Sequence, residues 1–62
     1  MELEVTVAKD VAGRGWKALL QELPAMWSTG DTIEDAIANF NRSYDSLPFT
    51  YKFVVDTEGT IG

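Results

Sequence analysis

The sequence has no cysteine and no histidine. The first absence excludes disulfides and thiolate metal sites. The second removes the commonest zinc ligand and the commonest general base. Cations are scarce: five Lys and Arg stand against ten Asp and Glu, for a net charge of −5. Phosphate contacts need clustered Lys or Arg, so direct nucleic-acid binding is not expected. No apolar run approaches the roughly 20 residues that a membrane-spanning helix needs. The opening Met1-Glu2-Leu3-Glu4 also lacks the basic segment of a signal peptide. A cytoplasmic location is the expectation that follows.

Sixty-two residues make one domain with a small core. Chains of this size usually add a disulfide, a metal or a partner subunit. No cofactor or metal set is legible here, so self-association is the expected reinforcement, as a homodimer or a higher homo-oligomer. The acids are uneven. Residues 31–62 carry six acids and two bases, whereas residues 1–30 carry four and three. An acidic chain suits a basic protein partner, although solubility alone explains the same charge.

Leu3, Val5 and Val7 alternate with Glu2, Glu4 and Thr6, which predicts a half-buried strand over 2–8. Lys9 to Gly15 is a polar, glycine-bearing hairpin connection. Its Gly13-x-Gly15 pair lacks the third glycine and the helix of a phosphate-binding loop. A second strand is predicted over 15–22, ending at Pro24, and a short third over 25–29. Thr32 is a good helix N-cap, with Asp35 placed to complete a capping box. Ile33, Ala36, Ile37, Phe40, Tyr44 and Leu47 follow spacings of three and four, which predicts an amphipathic helix over 32–47. Pro48 ends it. Phe49, Tyr51, Phe53 and Val55 predict a last strand over 49–56, followed by a polar, frayed tail.

The element order is therefore β-β-β-α-β, a small α+β fold. One helix covers only one face of a four-stranded sheet. The predicted core comprises Leu3, Val5, Val7, Trp16, Ala18, Leu20, Met26, Ile33, Ala36, Ile37, Phe40, Tyr44, Phe53 and Val55. The opposite face receives Glu2, Glu4, Thr6, Lys17, Leu19, Gln21, Trp27, Lys52 and Val54. Leu19, Trp27 and Val54 are its apolar members. A tryptophan on an open sheet invites a partner; the competing reading folds Trp27 over the rim of the sheet. Asp31, Glu34 and Asp35 sit at the helix start, where the helix dipole favours negative charge. That local role is the leading reading of the three; the competing one makes them the charged rim of a binding surface. The serines and threonines have no histidine to activate them, and two-metal chemistry finds no ligand set, so no catalytic residue is assigned.

The segment Glu22-Leu23-Pro24, Gly30-Asp31-Thr32, Glu34-Asp35 and Ala36, preceded by Trp16 and Ala18 after a glycine-bearing hairpin, resembles the HicB-like antitoxin domain. The resemblance runs from about Val5 to Leu47. It implies a partial ribonuclease H-like sheet in the order 3-2-1-4, with the fourth strand parallel to the first and one helix on one face. Ala25 departs from the family, which usually has glycine after Leu-Pro. Typical members also continue into a DNA-binding module that does not follow here, so operator binding is not carried over.

In that family the domain sequesters a small basic ribonuclease toxin. The resemblance therefore implies a non-catalytic protein-binding module, with Leu19 and Trp27 as apolar anchors and Asp31, Glu34 and Asp35 as the charged rim. The alternative is an orphan oligomeric protein, or an acidic inhibitor of another nucleic-acid enzyme of the kind phages encode. If the chain dimerises, the centre is expected at Trp27 or at the last strand.

Overall fold

The computed structural model of the chain describes residues 2–62. Its elements are β1 (Glu2–Asp10), β2 (Trp16–Leu20), β3 (Trp27–Gly30), α1 (Ile33–Ser43) and β4 (Thr50–Ile61). The strands form one sheet in the order β3-β2-β1-β4. β1 pairs antiparallel with β2, and β2 with β3, while β4 lies parallel to β1. This is the mixed four-stranded α+β fold expected from the sequence.

The alternation of β1 sends Leu3, Val5 and Val7 under the helix, where they are buried with Ala18 and Leu20 of β2. Ala36 and Phe40 of α1 close the core from above. Phe40 is the pivot. Its ring lies 4.7 Å from Tyr44, 5.2 Å from Tyr51 and 5.9 Å from Phe53, the last two edge-on. Such tilted contacts add to area burial because ring edges and faces carry opposite partial charge.

α1 packs chiefly over β3 and β2. Gly30 permits that approach, because a Cβ there would stand 2.4 Å from the Ala36 nitrogen. The buried Ser28 hydroxyl donates to the Ala36 carbonyl at 2.8 Å, which satisfies the one polar side chain of the core. Gly15 closes the β1–β2 hairpin at φ 92°, a region that favours glycine. Ala25, by contrast, needs no glycine. No non-glycine residue among those described has positive φ, and the turn after β2 closes through Leu23 N–H to Leu20 O and Met26 N–H to Leu23 O.

Four expectations change. The helix ends at Ser43, not 47, with Tyr44 leaving helical geometry at φ −128° and ψ 34°. Asn41, Arg42 and Ser43 include two poor helix formers, and the Tyr44 ring gains contact with Phe40 by turning down onto the sheet. β2 and β3 are trimmed to 16–20 and 27–30, since the intervening residues are spent on the turn. The tail is not frayed. The Asp56 carboxylate accepts the N–H groups of Glu58 and Gly59, both at 3.0 Å, and folds a turn within β4. The chain then rejoins β1, with Thr60 opposite Lys9 and Ile61 opposite Asp10. Finally, Val55 is not core. It is 43% exposed, one step beyond the reach of the aromatic cluster, whereas Ala8 is buried without having been expected there.

Candidate functional site

Among the described residues, no element covers the face of the sheet away from α1. Its organisation follows from register. Trp27 of β3 stands opposite Leu19 of β2, Leu19 opposite Thr6 of β1, and Thr6 opposite Val54 of β4. Side chains of one register level share a face, so these residues form a single row across all four strands. Trp27 and Val54, at its two ends, are 48% and 39% exposed. Leu19 is half-buried between Trp27 and Thr6.

Two polar side chains shape the row. The Lys17 ammonium lies 4.5 Å from the centre of the Trp27 ring, within cation–π range. It holds the indole against the sheet and leaves the far side of the ring open. The Gln21 amide donates to the Thr6 hydroxyl at 2.7 Å, so the polar member of the row is already occupied. What the row presents outward is thus mostly hydrocarbon and indole.

The structure brings Leu19 and Trp27 together and keeps the three acids apart from them. Asp31 follows the end of β3, and Glu34 and Asp35 lie in the first turn of α1, on the other layer of the molecule. All three are exposed. Their local role is defined: Thr32 adopts the extended N-cap geometry, and its hydroxyl accepts the Asp35 N–H at 3.0 Å. Carboxylates there meet the positive end of the helix dipole. They rim the same end of β3 as Gly30 without forming part of the apolar row.

Lys17, Thr6 and Val54 were assignable to the open face from alternation. The place of Thr6 and Val54 in one row with Leu19 and Trp27 was not, because register is a property of pairing and not of any one strand. The stacking of Lys17 on Trp27 has the same origin: Trp27 neighbours Lys17 diagonally once β2 and β3 pair.

On the helix side, the Tyr51 hydroxyl donates to Asn41 Oδ1 at 2.8 Å. Burial, with the Asp45 carboxylate adding to it, raises the Tyr51 phenol above its ordinary pKa. Among the described residues no group of three or more Asp or Glu is placed to hold a metal. No helix among them is long and apolar enough to cross a membrane. No family model, curated protein or solved structure matches this chain.

Proposed function

We propose that this chain is a non-catalytic protein-binding module of the cytoplasm that sequesters a small basic ribonuclease, as the HicB-like antitoxin domain it resembles does. The observation that carries this reading is the uncovered row Trp27–Leu19–Thr6–Val54. An exposed tryptophan backed by a cation, beside a leucine, is the kind of anchor that dominates binding energy at protein interfaces. The face is an open sheet and not a cleft, whereas small-molecule sites are concave. The net charge of −5 favours a basic partner and speeds its approach. Asp31, Glu34 and Asp35, away from the row, act on that approach more than on the docked contact.

The partner is sought as a small basic protein encoded beside this chain. Titration calorimetry of the two purified proteins, together with an RNA-cleavage assay of the partner, tests the reading. The wild-type chain suppresses cleavage. Trp27→Ala weakens binding by about 30-fold or more, as loss of an interface anchor does. Neutralising Asp31, Glu34 and Asp35 together lowers the salt dependence of association with a smaller loss of affinity. Binding that is equally tight with Trp27→Ala and Leu19→Ala, or a partner whose cleavage the wild-type chain leaves untouched, overturns the proposal.

A further inference from the structure

The two edges of the sheet are not alike. In β3 the bond from Leu20 N–H to Met26 O turns the main-chain groups of Met26, Ser28 and Gly30 toward β2. Trp27 and Thr29 therefore point their carbonyls outward, and both are taken. Asn39 Nδ2 donates to Thr29 O at 2.7 Å, and the Tyr44 hydroxyl reaches Trp27 O at a long 3.5 Å. Side chains of the helix region thus close the β3 edge, which is also only four residues long.

Along Tyr51–Val55 no described side chain takes the outward main-chain groups in this way. The bonds from Gln21 N–H to Glu4 O and from Asp10 N–H to Gly15 O turn the even residues of β1 toward β2. Its odd residues serve β4, and in the parallel register this engages Thr50, Lys52 and Val54 and leaves Tyr51, Phe53 and Val55 with main-chain groups facing outward. The stretch Phe49–Val55 is rich in aromatic and branched residues, has no proline, and carries Lys52 as its one charge. Long apolar edges of this kind are templates for pairing with another strand. Val54 and Val55, consecutive and on opposite faces, are 39% and 43% exposed.

We propose that the β4 edge pairs antiparallel with β4 of a second copy, with Val54 on the two-fold axis. The register follows from faces and charge. A two-fold axis normal to the sheet keeps like faces together, so each residue meets one of its own face. Centring on Lys52 sets two ammonium groups against each other. Centring on Phe53 sets Lys52 against a valine. Centring on Val54 sets Lys52 against the partner's Asp56, Phe53 against the partner's Val55, and Val54 against its own twin. Only this last register gives both exposed valines an apolar neighbour and the lysine a carboxylate. The outward main-chain groups of Phe53 and Val55 then exchange hydrogen bonds with those of their opposites, and the joint ends where the Asp56 turn begins. The same register makes the two open-face rows collinear, Trp27–Leu19–Thr6–Val54 continuing into its reverse across an eight-stranded sheet. Both helices lie on the other side. The dimer does not rest on the partner reading above.

Sedimentation velocity of the full chain up to about 200 µM tests it, since so short a joint lies at the small end of stable interfaces. A monomer–dimer equilibrium is expected. Val54→Lys sets two lysines directly opposite each other, their Cα atoms about 4.5 Å apart, and weakens the dimer at least about 30-fold. Val54 is exposed, so this variant keeps its fold, and circular dichroism checks that it does. Trp27→Ala leaves the dimer in place while weakening partner capture, which separates the two proposals. Register is read by cross-linking in a chain with no native cysteine. Val54→Cys forms a covalent dimer on mild oxidation, because twin Cα atoms in such a pair fall within disulfide reach. Lys52→Cys does not, its twin being about four residues away along the strand, roughly 14 Å. A monomer throughout the concentration range, a dimer unmoved by Val54→Lys, or cross-linking at Lys52→Cys as efficient as at Val54→Cys overturns the proposal.

Discussion

The two faces of this sheet are built from the same strands and do opposite work. On the helix side, Val5, Val7, Ala18, Leu20, Ala36 and Phe40 are wholly excluded from water. On the other side, a tryptophan and a valine stand half in solvent with a leucine and a threonine between them. One face carries the stability of the domain. The other carries apolar area that folding alone does not use. The difference teaches where to look for function in a chain without cysteine or histidine: at the apolar surface that the single helix leaves uncovered.

The comparison breaks first if the helix face does not dominate stability. Phe40 is fully buried and touches three other rings. Phe40→Ala is expected to cost about 3–5 kcal/mol, the usual loss for a buried aromatic. For a chain of this length that is a large part of the total stability, at about 0.05–0.15 kcal/mol per residue. Thermal or urea unfolding followed by far-ultraviolet circular dichroism should find the unfolding midpoint far below that of wild type. A variant that melts within a few degrees of wild type would mean that the core lies elsewhere.

Trp27 supplies the second measurement. Its ring is about half covered, mostly by its neighbours on the sheet and by Lys17. Burying half of a large aromatic side chain contributes about 1–2 kcal/mol. Trp27→Ala should therefore lower the unfolding midpoint of the dilute chain modestly, well short of the Phe40→Ala effect. An equal loss from both substitutions would show that the open face is a second core and not a spare surface.

Much of this contrast was legible in the sequence, and the part that was not has a common cause. Alternation in Leu3–Val7 and Trp16–Leu20 assigned the faces correctly, because period two is a local property. The N-cap at Thr32 was legible for the same reason. The strand order 3-2-1-4 came with the family resemblance; what escaped was the register and the contacts that depend on it. The row from Trp27 to Val54 exists only in the register of four strands. Val55 has the alternation of a core residue, yet α1 lies toward β3 and does not shelter it. The rejoining of Thr60 and Ile61 to β1 was hinted at by Asp56-Thr57-Glu58-Gly59, a turn sequence between apolar residues, but a turn alone does not say that the strand resumes in the same ladder. The closed β3 edge depends on Asn39 and Tyr44 reaching backbone carbonyls ten and seventeen residues away.

The smallest effects test the acids at the helix start, which belong to neither face. Thr32 holds the Asp35 N–H, so Thr32→Ala is expected to cost about 1 kcal/mol, the usual value for a lost N-cap. Glu34→Gln removes only a charge near the positive end of α1 and should cost about 0.3–1 kcal/mol, less in high salt because the site is exposed. Urea titrations at low and high ionic strength separate these two contributions: the Thr32→Ala loss persists in salt, and the Glu34→Gln loss shrinks. If Glu34→Gln left stability unchanged at low salt while weakening the basic partner's association, the acids would be there for recognition, and the division of labour between the two faces would extend to the rim. If it destabilised the chain and left association unchanged, capping alone would account for all three carboxylates.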